Sequence, residues 1–124
     1  MSSPGTGFAM RRGEIRIVEL DPDSDADTGE RRPAVIVSND RANSAASRLG
    51  RGVVTVVPIT SRVTSVFPFQ VYLAGGASGL PIDAKAQAEE VRSVSVSRVG
   101  SLLGELQPAQ LTRLDEALRL HLSL

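Results

Sequence analysis

Three short stretches hold side chains able to do chemistry without a cofactor. Arg32 precedes Pro33 in RRPAVIVSND (31–40), Thr60 ends VVTVVPIT (53–60), and Glu89 begins EEVRS (89–93). An arginine keeps its proton at ordinary pH, so it acts as a fixed donor to a phosphate whose charge is growing. A threonine hydroxyl can orient the same phosphate, and a carboxylate can help remove a proton. Such a set could cleave RNA, the substrate's own 2′-hydroxyl attacking the adjacent phosphate. DNA would be inert because it lacks that group.

Elimination leaves little else. The chain has no cysteine and one histidine, His121. Disulfides, thiolate zinc sites, cysteine nucleophiles and a two-histidine ribonuclease within one chain are all ruled out. No histidine or carboxylate cluster has metal-ligand spacing, so neither metal nor cofactor is expected. The acidic run DPDSDAD lacks the glycine and the glutamate that a calcium loop needs at its sixth and twelfth positions. AGGASG is not followed by the lysine and hydroxyl of a phosphate-binding loop. His121 is read as a residue at the rim of a helix packing face.

Positioning falls to short strands. Pro33 disfavours helix at Arg32, and Ala34 to Val37 is β-branched and too short for a helix. Pro33 to Ser38 is therefore a strand buried on both faces, with an arginine at its entrance. Gly13 to Leu20 alternates as a first strand. Val53 to Ile59 is another continuous apolar strand, and Pro58 implies an edge, a bulge or a strand end. Phe67 to Leu73 and Lys85 to Val94 read as strands, and Gly100 to Leu106 as one more short strand. Ser95 to Val99 is ambiguous. Asp40 to Arg48 is helix-compatible, enough for a short turn. Pro108 suits a first helical position. Leu111, Leu114, Leu118 and Leu122 then form one stripe of a final helix over Gln107 to Leu122.

The expected fold is mainly β with α: a small barrel or half-barrel closed by a C-terminal helix. Its 124 residues make one domain, from Met10 to Leu124, after a disordered extension of residues 1–9. The acidic stretch Asp23 to Glu30 is expected to be a mobile loop. No apolar run reaches membrane-spanning length, and the lack of cysteine fits a reducing cytoplasm. Net charge is zero but uneven. Glu19 to Glu30 is purely acidic. Arg31 to Arg62 carries six arginines against Asp40 alone, so a basic face is expected beside an acidic one. Lys85 is the only lysine, and arginine suits forked hydrogen bonds to phosphate.

Five segments in order resemble the MazF/PemK/Kid family of toxin endoribonucleases from type II toxin–antitoxin pairs. They are RRGEIRIVELDP, RRPAVIVSNDRAN, VVTVVPITS, QAEEVRSV and the leucine-rich last helix. The resemblance implies an SH3-like barrel and a two-fold homodimer. It implies metal-independent, sequence-specific cleavage of single-stranded RNA to 2′,3′-cyclic phosphate and 5′-hydroxyl ends. A MazE-like antitoxin peptide would neutralise the toxin. Residue by residue, it implies Arg32, Thr60 and Glu89 as catalytic, with Asn39, Ser61, Arg62, Glu90 and Arg92 holding RNA. Turn chemistry is the competing explanation for Asn39 and Ser61, and an ion pair with a neighbouring glutamate for Arg92. Two features depart from the family pattern. Arg16 stands where an aromatic residue is usual, and the loop before Arg32 is unusually acidic. Aromatics are only 3% of the chain, so base stacking would fall to Phe67, Phe69 or arginine planes. The alternative function is a non-catalytic toxin acting by protein binding, like the related gyrase poison. An inactive relative that only binds an antitoxin is a third.

Overall fold

The computed structural model describes residues 10–21 and 30–124. The expected disorder of residues 1–9 and the expected mobile loop over residues 23–29 lie outside them; Glu30, expected to end that loop, begins a strand. The described elements are β1 (Glu14–Asp21), β2 (Glu30–Ile36), α1 (Asp40–Leu49), β3 (Val53–Thr60), β4 (Gln70–Leu73), β5 (Ala84–Gln87), β6 (Arg92–Ser95), β7 (Val99–Glu105) and α2 (Pro108–Leu122). Short 3₁₀ turns follow β5 (Ala88–Glu90) and β6 (Val96–Arg98).

The strands form one antiparallel sheet in the order β4-β5-β3-β2-β1-β7, with β6 also on β3. No pairing among the described residues joins β4 to β7, so the expected barrel is an open one. β2 and β3 are its centre, buried on both faces as their apolar runs require. Val35, Val57 and Ile59 belong to one core with β4, β5 and the buried Leu114 and Ala117 of α2. Ala34, Ile36, Val54 and Val56 belong to the other, with Val18, Val94 and Ala46 of α1. Each fully buried valine or isoleucine contributes roughly 1.5–3 kcal/mol.

Several elements differ from the sequence expectation. The strand expected from Phe67 begins only at Gln70, because residues 67–70 form a turn with Pro68 at its second position, Gln70 N donating to Phe67 O at 2.8 Å; the Phe67 and Phe69 rings stack, centroids 5.5 Å apart. The possible turn at Asp40 is a helix of ten residues. Asn39 caps it by accepting from Ala42 N at 2.8 Å, and Gly50 ends it in the left-handed region at φ 68°. The stripe on α2 stops short: Leu114 is buried and Leu118 partly so, while Leu120 and Leu122 are exposed where the helix runs past the packed core.

The stretch Lys85 to Val94 is two strands, and Pro58 is the reason. Thr55 turns its backbone groups toward β2: its C=O accepts from Val37 N at 2.9 Å and its N–H reaches Ser38 Oγ at 3.0 Å. Alternation then turns residue 58 to the other neighbour, where proline has no N–H to donate. On that side the chain pairs 59 with 86 and 60 with 85, but 53 with 95 through 56 with 92. The three-residue slip is taken up by the 3₁₀ turn Ala88–Glu90.

Candidate active site

β2 pairs with β3 at Ala34–Pro58, Val35–Val57 and Ile36–Val56. Two residues further in the same register, Arg32 comes level with Thr60, on the face that carries Ala34 and Ile36. Past Ala34 and Pro58 that face changes from apolar to polar. Thr60 pairs with Lys85 of β5, which in turn pairs with Tyr72 of β4.

Arg32 is held on three sides. Its Nη2 donates to Ile59 O at 3.1 Å and to Gln87 Oε1 at 2.9 Å. Its Nη1 reaches Glu30 Oε1 at 3.2 Å. The Thr60 hydroxyl accepts from Arg62 N at 3.3 Å, which folds the chain back just beyond β3. Arg32, Thr60 and Ser61 line one cleft of about 340 Å³ with Pro33, Ile59 and the loop residues Leu80, Pro81 and Ile82. Two of the three residues expected to be catalytic thus share a wall, together with one expected RNA contact. The apolar rim offers surface for a base beside a donor for its phosphate.

The other expected residues do not line the cleft, although Arg62 directly follows Ser61. Glu89, on the 3₁₀ turn, accepts from Gln70 Nε2 at 2.7 Å through Oε2; its Oε1 is buried with no hydrogen-bond partner among the described residues. It is not among the residues lining the cleft. Glu90 and Arg92 pair with each other at 3.1 Å. Arg62 is exposed just past β3. Asn39, bound as the cap of α1, follows the far end of β2 from Arg32. His121 is exposed in the last turn of α2.

The loop between β4 and β5 closes the cleft. Asp83 accepts from Gly75 N at 2.8 Å, and this bond, with one from the Tyr72 hydroxyl, holds its carboxyl below the usual range. The same Asp83 contact raises the Tyr72 phenol. A second anchor is Ser78, whose hydroxyl donates to the buried Gln110 Oε1 of α2 at 2.7 Å. Residues that spacing did not reveal are Gln87, Glu30, and Leu80 to Ile82. The first is visible only once the β3–β5 register is known. A larger cavity, about 520 Å³ between α1 and β7, holds none of the expected site residues. No group of three or more histidine, cysteine or acidic residues among the described residues is arranged to hold a metal.

Comparison with known proteins gives the context. The family described as PemK-like, MazF-like toxin of type II toxin-antitoxin system matches residues 11–122. The endoribonuclease MazF9 of Mycobacterium tuberculosis is 55% identical over 93% of this chain and 98% of its own length. A solved mycobacterial endoribonuclease in complex with its cognate antitoxin superposes with a TM-score of 0.74 at 24% identity, over 94% of this chain and 97% of that one. Deinococcus radiodurans MazF gives 0.73 at 23% identity, over 94% and 99%.

Proposed function

Since the chain belongs to the PemK-like, MazF-like toxin family of type II toxin–antitoxin systems, we propose that it is an endoribonuclease toxin that cuts single-stranded RNA at the cleft shared by Arg32 and Thr60. The observation that carries this is their convergence from adjacent strand ends. A scissile phosphate seated there meets the Arg32 guanidinium, which stabilises the charge of the phosphorane-like transition state. Thr60 orients the phosphate so that the ribose 2′-hydroxyl attacks in line. The 2′-hydroxyl gives up its proton to solvent water as the O2′–P bond forms, the P–O5′ bond breaks, and the departing 5′-oxygen takes a proton from water, leaving a 2′,3′-cyclic phosphate and a 5′-hydroxyl. Metal is not required, because the charge is met by a permanent cation.

Ser61 and Arg62 extend the cleft toward flanking nucleotides. The Glu30 carboxylate on Arg32 Nη1 is half exposed, so an incoming phosphate can displace it. Glu89 supports the turn through Gln70. The working form is a cytoplasmic homodimer of a single domain, residues 10–124. Its antitoxin is an acidic, partly disordered peptide that covers the same surface.

Purified protein should cut a long single-stranded RNA in excess EDTA, and primer extension would map the sites. Substituting 2′-deoxyribose at one mapped position should block that cut alone. Arg32→Ala should lower the single-turnover rate by about 10²–10³-fold, and Thr60→Val should also slow it, both keeping native far-UV circular dichroism. Cutting at the deoxy position, or full activity in both variants, would refute the assignment.

A further inference from the structure

We propose that Gln87 is a positioning residue that aims the Arg32 guanidinium into the cleft, an inference that rests on the ribonuclease reading above. A long arginine side chain has many rotamers to give up before its donors are fixed. Here Nη2 carries that burden. Its two hydrogens are taken by a backbone oxygen, Ile59 O at 3.1 Å, and by a side-chain oxygen, Gln87 Oε1 at 2.9 Å. The carbonyl belongs to β3 and the glutamine to β5, two strands paired at Ile59–Ala86 and Thr60–Lys85. The guanidinium is therefore locked at one corner by two rigid elements. Among the described residues the Nη1 corner pairs with the half-exposed Glu30, a contact that a phosphate can replace.

The chemical type of Gln87 matters as much as its place. A carboxylate at that position would hold the guanidinium equally well but would offset its charge. An amide oxygen accepts the hydrogen bond and leaves the full positive charge for the transition state. Gln87 itself touches no reacting atom and acts through Arg32.

Gln87→Leu removes the acceptor at similar volume. It should lower kcat by about 10–100-fold, the range for a misaimed catalytic group. Affinity for an uncleavable 2′-deoxy analogue, read by fluorescence anisotropy, should stay within about twofold, since the charge remains. In an Arg32→Lys background the same change should cost less than about twofold, because a lysine makes no such clamp. Gln87→Asn, one methylene too short to reach, should behave as Gln87→Leu does and serves if the leucine variant fails to fold. A wild-type kcat in Gln87→Leu or Gln87→Asn, or a loss that persists undiminished in the Arg32→Lys background, would overturn the proposal. If the wild-type protein cuts no RNA, the ribonuclease reading itself fails, which is a distinct result.

Discussion

Lys85 is the chain's only lysine and is buried at 7% exposure. Its ammonium donates to Ser65 O at 2.6 Å and lies 5.9 Å from the centre of the Phe67 ring. It thereby ties the segment between β3 and β4, which starts with Ser61, down onto β5. The same contacts engage Phe67 with Phe69 and Lys85, so the aromatic pair braces this segment. Lys85→Met keeps the stem but leaves the Ser65 carbonyl without its donor. The expected cost is about 1–3 kcal/mol, read as a lower thermal midpoint, with faster proteolytic nicking between residues 61 and 69. Unchanged stability and nicking would show that the ammonium carries no such load. The family resemblance singled out Arg32 and Thr60, and their places at strand ends were legible because each abuts an apolar run. Gln87 and Lys85 were not, since their partners lie across a register that no local pattern encodes. Asn39 illustrates the converse. Its type and place suit RNA and a helix cap equally, and its bond to Ala42 N is the cap's.

Two glycines from separate segments let the cleft-closing loop lie flat on β7. Gly79 adopts φ +88°, and a Cβ on it would meet the Leu103 carbonyl oxygen and lie 2.9 Å from Gly104 Cα. A Cβ on Gly104 would overlap the Ser78 carbonyl oxygen and come 3.0 Å from Gly79 Cα. These obstacles are backbone, which cannot swing aside. Gly104→Ala should therefore cost about 3 kcal/mol and lower the thermal midpoint by roughly 10 °C. RNA cleavage should fall with it, since Leu80 to Ile82 leave their place. A midpoint within error of wild type would mean that the backbones part cheaply. Strands with unbroken β-branched runs, β2 and β3, were plain from sequence, as was the start of α2 at Pro108. The split between β5 and β6 was not, although its cause was in view. Pro58 announces an irregularity, but only the sheet order says that the neighbouring strand, and not β3, yields to it. The choice between barrel and half-barrel stayed open for the same reason: closure is a property of strand order.

The arginines between residues 31 and 62 are divided along the length of the central strands and not gathered on one face. Arg31 and Arg62 are exposed near the start of β2 and just past the end of β3, beside Arg32 and Thr60. Arg41 and Arg48 lie on α1 and Arg51 just before β3, all at the opposite end. Eight residues of β3 separate the two groups by roughly 23 Å, beyond the screening length of about 8 Å in physiological salt. The expected basic face is thus two basic ends, and only one of them adjoins the cleft. A short RNA held at the cleft should depend on that end alone. Arg62→Ala should weaken binding of the 2′-deoxy analogue and make the slope of log K against log salt shallower by about 0.7, the value for one phosphate contact on a single strand. Replacing Arg41, Arg48 and Arg51 together by alanine should leave that slope unchanged and affinity within about twofold. The converse pattern, with the triple variant losing the slope and Arg62→Ala keeping it, would move the RNA path onto α1 and away from Thr60.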